Sequence, residues 1–161
     1  QDVQTNRCWV VDCTSITRRD WTQIQTTIEG VIEQFNPRCI AVDSTGLGLV
    51  PTQLLQKRFG RRVVGVNFSR PIKAELATGL FQALADGMLK LQNRRDLVSD
   101  LYMLKRIVSS NGSVTFDADH DENGHADRAW ALALAIYGIG RRSGQIVATG
   151  GTGNLAVPGS K

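Results

Sequence analysis

The chain has 161 residues, 42% hydrophobic and 21% charged, which is the size of one globular domain and too apolar for a disordered tail. Its net charge of +4 is compatible with a polyanionic partner. The longest apolar run, 129–139, is too short to span a bilayer, and no secretory leader is visible, so we expect no membrane association. Cys8, Cys13 and Cys39 form no CxxC pair, which predicts buried, reduced thiols in a cytosolic protein.

The first half of the chain alternates between strand and helix patterns, which are recognised by their apolar spacing. Asp20 is the predicted N-cap of the first helix, and Asn36-Pro37 ends it. The predicted strands cover 7–16, 38–43 and 63–68. The predicted helices cover 21–35 and 51–59, with a turn at 60–62.

The second half begins with a predicted helix at 73–86, which Gly87 closes. Further helices are predicted at 96–109 and from His125 or Asp127 to 139. The remaining segments are a short extended piece at 88–91, a hairpin strand at 114–116 and an acidic loop at 117–124. The glycine-rich residues 141–161 are expected to form a flexible C-terminal tail.

This order of elements predicts an α/β fold with a mainly parallel sheet, in which ligands bind at the carboxyl ends of the strands. Asp43 lies at such an end, before a loop whose glycines allow a sharp turn and a close approach to a ligand. The loop residues that we place near the site are Ser44, Thr45, Gly46 and Gly48. On residue type alone, a strand end whose Ser44 or Thr45 caps the next helix is the favoured interpretation, and the spacing of a phosphate-binding loop is absent.

A second group of polar residues precedes the last helix. Its members are Asp117, Asp119, Asp121, Glu122, His125 and Asp127. The spacing is not that of an EF-hand, and Asp121 and Glu122 read as a solvated acidic loop. Asp127 differs because an apolar helix follows it directly. Its carboxylate is either a partner of the helix dipole or a metal ligand that faces a cleft.

Three blocks of the sequence carry a family resemblance. They are IAVDSTGLG, VNFSRPIKAEL and LYMLKRIVSSNGSVTFDADHDENGHADRAWALALA. Together they resemble the nuclease domain of bacteriophage large terminases, most closely the Mu-like branch, over about residues 7–137. The resemblance implies an RNase H-like fold over 1–140 and a nuclease that cuts double-stranded DNA with two divalent metal ions. A P-loop, which the ATPase half of the family carries, is absent from this chain.

The family places three acids around its metals: one on the first strand, one at the end of a later central strand and one at the start of the last helix. Asp43 matches the second acid and Asp127 the third. Shared carboxylates suit two Mg²⁺ or Mn²⁺ ions about 3.5–4 Å apart. His125 is implied as a proton shuttle or as a partner of a metal ligand, although a plain histidine at the helix start is equally open.

The first acid of the family has no clear match. The chain opens near the strand CWVVDC, which resembles a later strand of the family's first hairpin. We therefore expect the first strand of the fold to be missing, with Asp12 as the fallback ligand. Among the basic residues, Lys73 matches a lysine of similar terminases, and Arg70 and Arg128 are further candidates for DNA contacts.

The resemblance implies the endonuclease domain of a packaging terminase large subunit that cuts concatemeric double-stranded DNA in the cytoplasm of the infected host. The expected partners are DNA, the terminase ATPase domain, the portal and the small terminase subunit. Two alternatives stay open. One is a junction-resolvase-like nuclease, and the other is a non-catalytic packaging or docking module that keeps the fold without a full metal site.

Overall fold

The computed structural model describes residues 7–16, 20–110, 112, 114–118 and 126–143. The helices are α1 (Trp21–Phe35), α2 (Leu49–Phe59), α3 (Arg70–Ala85), α4 (Arg95–Met103) and α5 (Asp127–Ser143). The strands are β1 (Cys8–Trp9), β2 (Ile40–Asp43), β3 (Val63–Val66), β4 (Leu89–Lys90), β5 (Leu104–Val108) and β6 (Val114–Ala118). Single 3₁₀ turns lie at Gly46–Gly48 and Gly60–Arg62.

The caps of α1 confirm the predicted ends of this helix. The Asp20 carboxylate accepts a hydrogen bond from the Gln23 backbone N–H at 2.9 Å, which satisfies one of the free donors of the first turn. At the other end Asn36 takes the left-handed conformation, with φ of 41°, and donates its N–H to the Ile32 carbonyl at 2.8 Å. Local sequence chemistry therefore sets both ends of α1.

The strands form three pairs among the described residues. β2 and β3 are parallel, with Asp43 beside Val66 in the register. β1 and β4 are also parallel, whereas β5 and β6 form an antiparallel hairpin. The predicted α/β architecture is confirmed, and its parallel part consists of two short pairs rather than one continuous sheet in the described ranges.

Two predicted elements were wrong in type or length. The helix predicted at 96–109 ends at Met103, and the next five residues form β5, because pairing with β6 satisfies their backbone groups across the hairpin. The strand predicted at 7–16 narrows to two residues. Val10 still donates its backbone N–H to the Lys90 carbonyl, but beyond this point the partner strand has ended.

Three helix boundaries moved outward from their predicted positions. α3 starts at Arg70 because Pro71 lies in its first turn, where a missing N–H costs nothing. α2 starts at Leu49, and α5 continues to Ser143, three residues into the predicted tail. The rest of that tail, residues 144–161, lies outside the described residues.

The main core lies between α3, α5, α4 and the β5–β6 hairpin. Its most deeply buried members include Leu76, Leu80, Leu97 and Ala129. A smaller cluster of Ile32, Leu55 and Val63 joins α1 and α2 to β3. All three cysteines are unpaired thiols, as predicted, and each is only partly buried. None of the described helices combines the length and the apolar character needed to cross a lipid bilayer.

Candidate active site

Asp43 is the last residue of β2, and its side chain is held by the loop that follows. The Asp43 Oδ1 atom accepts a hydrogen bond from the Thr45 backbone N–H at 2.8 Å. This hydrogen bond fixes one oxygen of the Asp43 carboxylate, and Asp43 itself is partly buried. The second oxygen of the carboxylate accepts no hydrogen bond from any described residue. Asp43 is therefore oriented by its own loop and keeps one oxygen for a ligand.

The loop after Asp43 is tied to the neighbouring strand rather than to helix α2. Ser44 donates its backbone N–H to the Val66 carbonyl at 2.9 Å, and the Thr45 hydroxyl accepts from the Phe68 N–H at 2.8 Å. Neither side chain caps α2, so the capping interpretation of this loop was wrong. The loop extends the β2–β3 pairing past the strand ends, which makes it a rigid support for Asp43.

Two glycines of the loop have distinct physical roles. Gly46 lies at φ of 53°, a conformation that L-residues rarely adopt. Gly48 has an ordinary φ but packs so closely that a Cβ atom there would collide with the Asp43 carbonyl oxygen. The Gly48 carbonyl in turn accepts from the buried Thr52 hydroxyl at 2.7 Å. The tight turn beside Asp43 thus requires a residue without a side chain.

Asp127 is the first residue of α5, and it is exposed. The residue before it, Ala126, is buried with φ of 56°, so the chain turns sharply as it enters the helix. The Asp127 carboxylate makes no hydrogen bond or ion pair with another described residue. A carboxylate in the first turn is favoured by the positive end of the helix dipole, and this one is also accessible to a ligand.

Aromatic packing connects the Asp43 loop to the first turns of α5. Phe68, whose backbone N–H donates to the Thr45 hydroxyl, packs its ring against Trp130 with centroids 5.4 Å apart and the ring planes tilted by 60°. The backbone N–H of Trp130 donates a hydrogen bond to the Ala126 carbonyl at 3.0 Å, within the turn that carries Asp127. The elements that carry the two predicted metal ligands are therefore connected through the contact between Phe68 and Trp130.

Lys73 of α3 lies beside the same aromatic contact. Its Nζ atom is 3.3 Å from the Asp117 Oδ1 atom and 5.4 Å from the centre of the Trp130 ring. The ammonium is therefore partnered by an acid and an aromatic face, and 28% of its side chain is exposed. Arg70, one turn earlier in α3, is exposed.

The Arg128 side chain lies in a cluster with two acids of α4. Its Nη1 atom lies 3.2 Å from the Asp100 Oδ1 atom, and its Nε atom lies 3.2 Å from the Asp96 Oδ2 atom. A hydrogen bond from Arg94 lowers the pKa of Asp96 below its ordinary value, against the opposing effect of burial. The predicted DNA candidate Arg128 is thus part of an internal ion cluster.

A cavity of about 600 Å³ lies between the segment 8–16 and α5. The polar groups on its wall include the carboxylates of Asp12, Asp100 and Asp127 together with the Arg128 side chain. Asp43 is not part of this wall. Asp12, the fallback ligand, therefore shares a cavity with Asp127, and it accepts a hydrogen bond from the Thr14 hydroxyl at 2.9 Å.

The carboxylates of Asp43 and Asp127 could form part of a binding site for a hard divalent cation. Carboxylate oxygens are the ligands that Mg²⁺ and Mn²⁺ prefer. Asp43 has an oxygen free of hydrogen bonds from the described residues, and Asp127 is accessible. However, the described part of the chain contains no group of three or more His, Cys, Asp or Glu side chains placed to hold one ion. His125 and the acids Asp119, Asp121 and Glu122 lie outside the described residues.

Asp100 is the residue that sequence reasoning missed. It is buried, with 6% of its surface exposed, and it accepts hydrogen bonds from both the backbone and the side chain of Arg128. The signal was present in the sequence. Leu97 and Leu101 mark the apolar stripe of α4, and Asp100 lies within that stripe at the position three after Leu97. An acid on an apolar face needs a buried partner.

Comparison with known proteins identifies the family. A model of the terminase RNaseH-like domain family matches residues 2–137. The chain belongs to this family. The predicted RNase H-like fold and the resemblance to terminases are both confirmed, whereas the Mu-like branch stays a prediction.

Individual relatives of this terminase domain are distant. The "Terminase, ATPase subunit" of Escherichia phage P2 is 26% identical over 120 residues, which cover 73% of this chain and 20% of that protein. The chain thus spans about a fifth of the length of this curated relative.

Solved structures of phage large terminases have a similar fold. The large terminase nuclease domain of Thermus phage P74-26 aligns with a TM-score of 0.60 at 16% identity, covering 74% of this chain and 60% of that one. The large terminase nuclease from thermophilic phage G20c aligns with a TM-score of 0.63 at 18% identity, covering 76% and 64%. A G20c structure with bound magnesium aligns with a TM-score of 0.61 at 19% identity, covering 74% and 62%.

Proposed function

We propose that this terminase domain is a divalent-metal-dependent endonuclease that cuts double-stranded concatemeric DNA during packaging. The observation that carries the proposal is that Asp43 and Asp127, one at a strand end and one at a helix start, lie on elements joined through Phe68 and Trp130. The magnesium bound by the G20c nuclease of the same fold supports the choice of metal. We propose a pair of Mg²⁺ or Mn²⁺ ions as the cofactor.

The residues of this chain have separate tasks in the proposed reaction. Held by Asp43 and Asp127, the metal would supply Lewis-acid stabilisation of the scissile phosphate and activation of the attacking water. Asp43 would bind the metal through one carboxylate oxygen, which is held in place because the other oxygen accepts a hydrogen bond from the Thr45 backbone N–H. Asp127 offers an exposed carboxylate in the first turn of α5. We propose His125, which follows the acidic loop, as a proton-transfer residue, with Asp12 as the fallback third ligand.

Cleavage of supercoiled plasmid DNA by the 161-residue protein tests this function. We expect nicking and linearisation with Mn²⁺, and none when EDTA removes the metal, because the metal would supply both the activated water and the stabilisation of the leaving oxygen. DNA binding without any metal-dependent cleavage would contradict the nuclease function and favour a docking module. Faster cleavage of four-way junctions than of plain duplex would favour a resolvase-like enzyme instead.

Lys73 is the first basic candidate for a DNA phosphate, because its ammonium lies 5.4 Å from the centre of the Trp130 ring, which packs against Phe68. Lys73→Ala should weaken duplex binding equally for different sequences, and it should reduce the slope of log affinity against log salt by about one. Fluorescence anisotropy across a salt series measures both quantities.

The ion pair of Lys73 provides a matched control for this measurement. Asp117→Asn removes the acid that lies 3.3 Å from Lys73 Nζ, and it should therefore strengthen duplex binding. An unchanged salt slope in Lys73→Ala would mean that the lysine serves only its internal contacts. Arg70, exposed in the same helix, is the second DNA candidate and should show the smaller effect. Arg128 is a weaker candidate because its side chain binds Asp96 and Asp100.

The wider setting of this domain is also part of the proposal. We propose that it acts beside a terminase ATPase domain and contacts the portal and the small terminase subunit, in the cytoplasm of the infected host. The phage P2 relative, which carries the name of a terminase ATPase subunit, supports a packaging complex as the context.

A further inference from the structure

We propose that Asp100 is a positioning residue, which holds the first turn of α5 so that the Asp127 carboxylate faces its ligand. This inference rests on the proposed function, because it assigns Asp127 to metal binding. Asp100 lies on α4, whereas Asp127 begins α5, so the two residues belong to different elements of the fold.

Among the described residues, no side chain of α5 or of the residue before it caps the start of this helix. Trp130 makes the first intrahelical bond of this helix to the Ala126 carbonyl, which places Ala126 at the N-cap position. An alanine has no oxygen with which to bind the free N–H groups of the first turn. Ala126 also has a φ of 56°, which is unfavourable for any residue with a Cβ atom. The turn beside Asp127 therefore depends on contacts from elsewhere.

Asp100 supplies the missing acceptor from the neighbouring helix. Its Oδ2 atom accepts from the Arg128 backbone N–H at 2.9 Å, one peptide unit after Asp127. Its Oδ1 atom accepts from Arg128 Nη1 at 3.2 Å. Both carboxylate oxygens are thus bonded to one residue, by its backbone and by its side chain. This bidentate hold restrains the peptide that follows Asp127 in position as well as in orientation.

Burial makes this contact hard to replace by water. Asp100 is only 6% exposed, and 27% of the Arg128 side chain is exposed. A buried carboxylate needs a paired charge and hydrogen bonds, and Arg128 supplies both. Asp96 makes a useful contrast, because it lies near the same guanidinium but makes no described bond to the backbone of α5. Asp96 therefore interacts with Arg128 only through its charge, whereas Asp100 also holds the backbone of α5. Substitutions of these two acids can separate the two effects.

Amide exchange and Mn²⁺ binding, both followed by NMR on the full chain, test the proposal without any measurement of cleavage. In the parent protein, the Arg128 amide should exchange at least about tenfold more slowly than the Asp127 amide. Asp100→Asn leaves one acceptor oxygen for the two Arg128 donors and removes the charge, so it should reduce this protection and weaken Mn²⁺ binding roughly tenfold, as expected for residues that orient a metal ligand. Asp96→Asn, the matched control, should leave Mn²⁺ binding within about threefold.

The outcomes separate this inference from the proposed function. If the parent protein binds no Mn²⁺, the metal function fails, and the inference that rests on it fails as well. If the parent binds Mn²⁺ and a folded Asp100→Asn protein binds it equally well, only the positioning role is overturned. Should Asp100→Asn not fold, Asp100→Glu, which keeps the charge on a longer side chain, decides the question. Weaker Mn²⁺ binding by a folded Asp100→Glu supports the proposal, and unchanged binding overturns it.

Discussion

Replacing Asp43 by asparagine is expected to reduce Mn²⁺-dependent DNA cleavage by about 10³-fold, which corresponds to about 4 kcal/mol of transition-state stabilisation. The carboxamide has the same shape and still accepts the Thr45 N–H, so the loop should keep its structure. What it loses is the negative charge that a hard cation requires. Initial rates of plasmid nicking measure the effect, and thermal unfolding should show a midpoint within a few degrees of the parent.

Asp86→Asn is the control for this substitution. Asp86 is an exposed acid at the C-terminal cap of α3, and its side chain binds only Gln82 among the described residues. The same chemical change there should leave the cleavage rate unchanged. If a folded Asp43→Asn protein cuts DNA as fast as the parent, Asp43 is not a metal ligand.

Gly48→Ala is the second substitution with a large expected effect. The new Cβ atom would collide with the carbonyl oxygen of Asp43, so the 3₁₀ turn and the end of β2 must move apart. Overpacking of this kind costs about 1–3 kcal/mol, to be measured as the free energy of unfolding in urea. Cleavage should fall as well, because the displaced backbone carries the Asp43 carboxylate. The effect of this methyl group should therefore appear in stability and activity together.

Gly30→Ala provides the matched comparison. Gly30 lies inside α1, and a Cβ atom there would meet nothing within 4 Å. The same added methyl group should therefore stabilise the protein by up to about 1 kcal/mol through helix propensity, with cleavage unaffected. Equal stability of Gly48→Ala and the parent would show that the Asp43 loop is not packed as described.

The positions of the two predicted ligands could be derived from sequence because each depends on local pattern. Asp43 ends a continuous apolar run, and Asp127 begins an apolar helix, so the element boundaries themselves locate both acids. The caps of α1 were predictable for the same reason, since Asp20 and Asn36 act on their own neighbours in the chain.

Features that depend on distant partners were not predictable in this way. The apolar residues of the segment 104–108 also fit the apolar stripe of a helix. The segment forms a strand because it pairs with β6. The role of Asp100 depends on a helix that begins 27 residues later. Lys73 was predicted near the site, but its ion pair with Asp117 and its place over Trp130 follow from tertiary packing. Contacts between residues so far apart in the chain produce no periodic pattern in the sequence.

The proposal that Asp43 and Asp127 share a metal ion is tested most directly by anomalous diffraction from crystals of this protein soaked in Mn²⁺. We expect a Mn²⁺ peak with a carboxylate oxygen of each residue within about 2.5 Å, and loss of that peak in Asp43→Asn crystals. Mn²⁺ bound in the cavity by Asp12 and Asp127, with Asp43 uninvolved, would contradict it.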